Sequence, residues 1–272
     1  MGAGRVVEKS VTGFLSALER ALESEELSRG PGLLQRLDPR AKLAGLLLLI
    51  VAVAASRRIG VIVALFGIAL LLAAASRVPM RTLAARVWAG TLLFTGLIAL
   101  PAVFLTPGDV VARIPYVEWS MTAQGLRSAA FLISRVETTA TLALLLVLST
   151  PWTNILKALR VFHVPVVVIV ILGMTYRYAF LLLSTAREML ESRRSRLVGE
   201  LPGAERRRLL VAAAGVLLAK SLQLSGDVYL AMRSRGFRGE VYVLDDFRMN
   251  PRDWLAAVLF AGLGAAAFWG GR

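Results

Sequence analysis

The chain contains no cysteine and a single histidine, His163, among its 272 residues. No disulfide framework and no thiolate nucleophile is therefore available. A Cys/His metal centre needs about three or four clustered ligands, and no second histidine and no carboxylate cluster accompanies His163. It precedes Val164-Pro165 at a helix junction, so it reads as a junction residue rather than a metal ligand. No cofactor is expected. The phosphate-loop pattern Gly-x-x-x-x-Gly-Lys-Ser/Thr is also missing, so the chain is not expected to bind or hydrolyse ATP by itself. Acidic residues are few, 18 against 32 Lys and Arg, for a net charge of +14. The basic stretches lack interleaved stacking aromatics, which argues against nucleic acid as a partner. No 20–50-residue repeat and no low-complexity tract is visible. The first residues are polar and acidic (Glu8, Glu19, Glu23, Glu25, Glu26), so no cleavable signal peptide is expected.

What the chain does have is apolar surface. It is 57% hydrophobic, with a mean hydropathy of +0.66, against ~45–50% apolar in soluble domains. A single polytopic membrane domain over residues 1–272 is the simplest reading. Val11, Phe14, Leu15, Leu18 and Leu22 recur at helical spacing, which predicts a short amphipathic helix over residues 8–26 at the membrane interface. Hydrophobic runs follow at Leu43–Ala55, Ile59–Ala75, Val87–Leu105, Ala129–Leu148 and Trp254–Trp269. These give four spans within residues 41–150 and a last one over 253–270. Asp38 is placed to cap the first span and Pro39 sits where a first-turn proline is tolerated. Arg40 and Lys42 can reach headgroups and so lengthen a short span.

Of the Lys and Arg residues, 16 lie between Pro151 and Asp253, with 9 acidic residues. The N-terminal segment and the Arg77/Arg81/Arg86 loop are basic too, whereas Thr106–Gly125 holds only Arg113. Basic loops stay inside. The expected topology is therefore N-terminus and residues 151–253 cytoplasmic, C-terminus outside. Arg57-Arg58, in one very short outer loop, disagrees with the remainder. The implied location is a cell membrane, crossed several times.

Residues 151–240 hold two long helical patterns with arginine-rich ends. Pro165 to Arg196 starts uniformly apolar (Val166 to Leu172), becomes amphipathic, and closes on Arg193, Arg194 and Arg196. At 1.5 Å per residue it is roughly 45–50 Å long, beyond the ~30 Å of a bilayer core. Turn chemistry at Gly199 to Gly203 separates it from a second pattern, Glu205 to Arg235. The apolar run of that second pattern, Leu209–Ala219, is too short to span a bilayer. It ends at Arg233, Arg235 and Arg238, with Gly236 and Gly239 as cap candidates. Two such helices suggest a docking platform. The triple Arg206-Arg207-Arg208 that opens the second pattern reads as a solvated or headgroup-facing patch.

Several short motifs occur in order along this chain: Gly32-Leu33-Leu34-Gln35-Arg36-Leu37-Asp38-Pro39-Arg40-Ala41-Lys42, then Ser149-Thr150-Pro151-Trp152, Val164-Pro165 ahead of Tyr176-Arg177-Tyr178, and Ala231 to Gly239. Together they resemble the transmembrane T component of energy-coupling factor (ECF) transporters, and within that group the CbiQ-type subunit of cobalt or nickel importers. The resemblance implies an all-α integral membrane protein of about five spans, two long cytoplasmic coupling helices and an N-terminal amphipathic helix. It implies a non-catalytic scaffold whose partners are two ABC ATPase subunits, a substrate-binding integral membrane protein and the lipid bilayer. In that family, Ala-Arg-Gly motifs end the two coupling helices, and each arginine enters a groove on one ATPase. The matching positions are Ser195-Arg196-Leu197 and Ser234-Arg235-Gly236. Ser replaces Ala in both, and Leu197 stands where Gly is expected. Arg193, Arg194, Arg233 and Arg238 are possible supporting contacts.

The chemistry of arginine agrees with this implication, since a planar fork of donors with fixed charge suits burial against a carboxylate. The bland alternative is that these arginines only cap helix ends and face water. Arg177 reads as an anchor at the inner interface, or as a partner of Asp38. Arg135 and Glu137 lie in the fourth span near its outer end. A structural pair or a snorkelling arginine is the simpler reading, and a proton relay or substrate path the alternative. Two rival functions remain: a T component for vitamins or other micronutrients, and a membrane-anchored protein that binds anionic lipid through its basic helices. An integral membrane enzyme would need polar residues converging at one depth, and no such set is visible.

Overall fold

A computed structural model describes residues 25, 27–106, 109–113, 120–196, 202–237 and 249–272. The expected amphipathic helix over 8–26 lies outside the described residues except for Glu25, as do Leu197 and Arg238. The chain divides into two compact units. One comprises residues 23–158 with 247–272, and the other residues 1–22 with 159–246.

The larger unit holds a helix for each of the five apolar runs. A one-turn helix α1 (Leu33–Arg36) leads into α2 (Pro39–Ala55), and α3 (Ile59–Ala75) returns. A single turn, α4 (Met80–Leu83), passes through a π-helical stretch at Ala84–Trp88 into α5 (Ala89–Leu105). α6 (Ala123–Ser149) follows, then the short α7 (Trp152–Val161), and α10 (Pro251–Gly270) closes the chain. α6 is central: it packs on α2, α3 and α5, and α10 packs on α2. Apolar side chains drive this. Leu46, Leu49 and Val53 of α2, Ile62, Leu65 and Ala69 of α3, Leu142, Leu145 and Leu148 of α6, and Phe260 of α10 form one buried cluster. A smaller one joins Ala99 and Val103 to Ala129.

The sequence makes these contacts close. Gly45 of α2 faces Phe260 and Gly264 of α10 faces Leu48, and a Cβ at either glycine would overlap those side chains. Each large residue thus enters a notch left by a glycine on the facing helix. α2 and α10 run parallel, because their starts meet at Asp38 and Asp253 and their ends at Arg57 N–H and the Gly271 carbonyl.

Two features were not expected. The connection between α5 and α6 carries two short antiparallel strands, β1 (Val110–Arg113) and β2 (Ser120–Thr122), with an irregularity between Val110 and Ala112. α6 also begins six residues earlier than its apolar run, because Thr122 caps it by accepting from Gly125 N–H. At 27 residues it is roughly 40 Å long, whereas the 17-residue α2 and α3 are roughly 25 Å.

The second unit holds α8 (Val166–Arg196) and α9 (Gly203–Ser234), the two long helices expected from the sequence. They pack on each other, and Lys220 donates to the Thr185 hydroxyl at 3.2 Å. Among the described residues, four helices are long and apolar enough to cross a membrane by length and composition: Ala123–Ser149, Val166–Met189, Val211–Ser234 and Pro251–Gly270. Val211–Ser234 is a departure from the sequence reading, which measured only the run to Ala219. The helix continues through Leu222, Tyr229 and Leu230, all exposed, and these carry its apolar length further. The chain is an all-α, multi-pass membrane protein.

Candidate functional site: arginine-ended helices and a buried polar cluster

α9 stops where its sequence changes the backbone. Gly236 has φ +79, a left-handed conformation that costs an L side chain about 1–2 kcal/mol. Its N–H donates to the Arg233 carbonyl at 3.0 Å, and Phe237 N–H to the Met232 carbonyl at 3.0 Å. These are the two bonds of a Schellman cap. Gly236 therefore ends the helix, and Arg235 is the residue at the cap. Arg235 is exposed. Arg233, one turn from Tyr229, places its guanidinium 5.9 Å from that ring.

The first motif lies at the corresponding end of α8. Ser195 and Arg196 are its last two residues, both exposed. The serines of the two motifs bond alike. Ser195 Oγ donates to the Ser192 carbonyl at 2.9 Å and Ser234 Oγ to the Ala231 carbonyl at 2.9 Å. Each hydroxyl folds back on its own helix and leaves the outward surface small. Arg193 and Arg194 belong to the same last turn of α8. Earlier on α8, Arg187 pairs with Glu191 at 2.7 Å. Arg177 is exposed and has no ion pair among the described residues.

His163 proves to be a helix terminator. It has φ +60, its N–H donates to the Arg160 carbonyl at 3.2 Å, and Val164 N–H to the Leu159 carbonyl at 3.4 Å. Among the described residues no group of three or more His, Asp or Glu is placed to hold a metal ion.

The motif from Gly32 to Lys42 builds two joints in the larger unit. Ser76, at the end of α3, accepts from Leu34 N–H at 3.3 Å through its hydroxyl and from Gln35 Nε2 at 3.1 Å through its carbonyl. Gly32 lies so close to that carbonyl that a Cβ would collide with it. The second joint is polar and buried. Asp38 caps α2 by accepting from Arg40 N–H at 2.8 Å, and its own N–H donates to Asp253 Oδ1 at 2.9 Å. Asp253 Oδ2 accepts from Asn250 N–H at 2.8 Å and so caps α10. Lys42 is 1% exposed, and its Nζ donates to the carbonyl of Ser149, the last residue of α6, at 3.0 Å. Its backbone N–H donates to the Asp38 carbonyl at 3.1 Å, one turn into the helix that Asp38 caps. Lys42 therefore does not snorkel to headgroups. It is buried at a helix C-terminus, where a cation is favoured, while both aspartates sit at N-termini, where anions are.

Arg135 and Glu137 are not paired with each other. Arg135 donates to the carbonyl of Ser56 at 2.6 Å, capping α2, and its guanidinium stacks 4.5 Å from the Phe131 ring. Because α2 is short, its C-terminal end is level with the middle of α6. Glu137 is buried on another side, facing α5, and accepts from Thr91 Oγ1 at 2.7 Å through Oε1.

Comparison with known proteins agrees with this geometry. The family model described as cobalt transport protein, CbiQ, matches residues 32–243. An uncharacterized protein of Methanocaldococcus jannaschii, MJ1571, is 34% identical over 262 residues, which cover 94% of this chain and 89% of that one. The cobalt transport protein CbiQ of Rhodobacter capsulatus is 32% identical over 174 residues, 62% of this chain and 65% of the relative. The match runs from the joint at Gly32 to beyond the cap at Gly236, and the chain belongs to the CbiQ family of cobalt transport membrane proteins.

Proposed function

We propose that this protein is the energy-coupling T component of an ECF-type importer for cobalt or nickel. It is a non-catalytic scaffold between two ABC ATPases and a substrate-binding membrane protein. Residues 151–253 and the N-terminus lie on the cytoplasmic side. Ser195-Arg196-Leu197 and Ser234-Arg235-Gly236 are the ATPase contacts, one per ATPase, with Arg193, Arg194, Arg233 and Arg238 flanking them. The observation that carries this reading is the end of α9. A glycine in the left-handed conformation stops the helix in a Schellman cap and leaves the adjacent Arg235 exposed. An arginine in that place offers a bidentate donor at a fixed position.

ATP binding draws the two ATPases together, and arginines seated in them carry that motion into α8 and α9. The exposed apolar residues of these helices, among them Ile171, Val211, Leu218 and Leu222, meet lipid or the substrate-binding partner. Co-purification with the ATPases tests the reading, comparing wild type with Arg196→Ala, Arg235→Ala and Arg235→Lys. Truncating a buried, hydrogen-bonded charge costs about 2–5 kcal/mol, so alanine weakens ATPase association by roughly thirty-fold or more. Lysine is a point charge and leaves a measurable loss. If the helices only bind anionic lipid, Arg235→Lys is silent and no ATPase is recovered.

A further inference from the structure

The chain turns after Ser149, between α6 and α7, on its way to the second unit, and on its return it enters α10 after Asn250. Both ends meet one buried cluster. On the outgoing side, α6 ends at Ser149, Thr150 is extended (φ −136, ψ 119) and Pro151 follows. Proline supplies no N–H, so it cannot help to satisfy the last carbonyls of α6. Lys42 Nζ fills that need at the Ser149 carbonyl. On the returning side, Asp253 takes the Asn250 N–H with one oxygen and the Asp38 N–H with the other. Ser149 and Thr150 are buried, at 0% and 2% exposure. The elbow is therefore held by these polar bonds inside the protein.

A lysine is a costly way to fill such a space. An apolar side chain of the same length would fill it without desolvating an ammonium group. What the apolar side chain cannot do is fix Ser149 in direction, because only a donor constrains a carbonyl along its lone pairs. The cluster also joins elements far apart in sequence: Lys42 to Ser149 and Asp38 to Asp253 are separated by 107 and 215 residues.

We infer that Lys42, with Asp38 and Asp253, is a positioning group for coupling: it locks the outgoing and returning ends of segment 151–250 into one rigid base. Force applied at Arg196 and Arg235 is then delivered into the membrane domain and is not absorbed by swivelling at the Ser149–Pro151 elbow. This rests on the function proposed above for its consequence in transport, but the rigidity itself is testable in the isolated protein.

The test begins from the absence of cysteine, which lets two be introduced without background. Nitroxide labels at Thr153→Cys and Arg252→Cys, both exposed positions, report the distance between the two ends in the full chain. Wild type gives one narrow distribution. Lys42→Met is expected to broaden it at least two-fold, and Lys42→Arg, which keeps the charge and a donor, to restore part of the narrow component. In the complex with its ATPases in proteoliposomes, Lys42→Met is expected to keep ATPase association and hydrolysis. Radiolabelled Co2+ carried per ATP hydrolysed then falls about ten-fold or more. A distribution as narrow as wild type, or an unchanged Co2+/ATP ratio in assembled complexes, overturns the inference. So does a purely structural outcome, in which assembly and thermal stability fall together while the ratio in the surviving complexes holds. If Lys42→Met does not accumulate as folded protein, Asp253→Asn is judged by the same two readouts. It removes the charge and keeps an acceptor for the Asp38 amide. Failure of the wild-type chain to associate with ATPases refutes the proposed function instead, and leaves the label distances to decide about Lys42.

Discussion

Gly236 allows the docking role proposed for the end of α9 to be tested quantitatively. Its φ is +79, and a Cβ built on it meets nothing within 4 Å. The cost of Gly236→Ala inside this chain is therefore torsional and not steric, about 1 kcal/mol and at most ~2. The free protein can avoid that strain by unwinding its last turn, which exposes only a few backbone groups already near water. An ATPase that grips Arg235 at a fixed position needs the cap intact. The strain then appears in binding: about 1 kcal/mol is roughly five-fold in dissociation constant, at 1.4 kcal/mol per decade. Asparagine tolerates the left-handed region better, so Gly236→Asn is expected to cost about two-fold, and the β-branched Gly236→Val roughly thirty-fold. Titration of the ATPase onto the protein in nanodiscs measures this series, and melting temperatures should stay within about 1 °C of wild type. The diagnostic feature is the order, Asn weaker in effect than Ala although it is larger. If Asn is as damaging as Ala or worse, glycine is needed for close approach of the partner and the conformational argument is wrong.

The other perturbations test the membrane domain. Gly264→Val drives a side chain into Leu48 and should cost about 1–3 kcal/mol of stability, a fall of several degrees in melting temperature. Gly262→Ala, on the same helix with nothing within 4 Å, should be neutral or slightly stabilising. Thr91→Val removes the hydroxyl that donates to Glu137 and should destabilise by about 1–3 kcal/mol. Adding Glu137→Leu should recover part of that loss, because the polar group left behind is then gone, and a double-mutant cycle on thermal unfolding in detergent measures the coupling.

Much of the fold was legible because its elements are long and their ends carry local chemistry. Five apolar runs became five packed helices, and Asp38 and Pro39 cap and open α2 as their spacing implies. The two long helices end within a residue or two of where arginine clusters and glycines placed them. What could not be read comes from tertiary bonding. α6 begins six residues early because Thr122 finds Gly125 N–H, which hydropathy does not register. Lys42, at the start of a short apolar run, looked like a side chain that reaches for headgroups. Its carbonyl partner is Ser149, 107 residues away, and no local pattern announces it. The Arg135/Glu137 pairing, by contrast, was excluded by helical geometry. Residues two apart point to nearly opposite sides of a helix and cannot meet.

Most charges inside the membrane domain follow one rule. The buried Asp38 and Asp253 lie at helix N-termini, and the buried Lys42 and half-buried Arg135 meet helix C-termini. Each sits where the unsatisfied backbone groups of a helix end need its sign. Glu137 is the exception, a buried carboxylate in the body of α6 with a threonine donor from the neighbouring helix. Arg196 and Arg235 obey the same rule of sign at the ends of α8 and α9, but they are exposed. If dipole compensation were their whole purpose, lysine would serve equally well at either position, because a helix terminus reads charge and not shape. Arg196→Lys and Arg235→Lys therefore separate the two roles at each helix end. ATPase association unchanged by both substitutions would reduce the arginines to caps. A loss with either, at unchanged melting temperature, requires a partner that recognises the guanidinium fork.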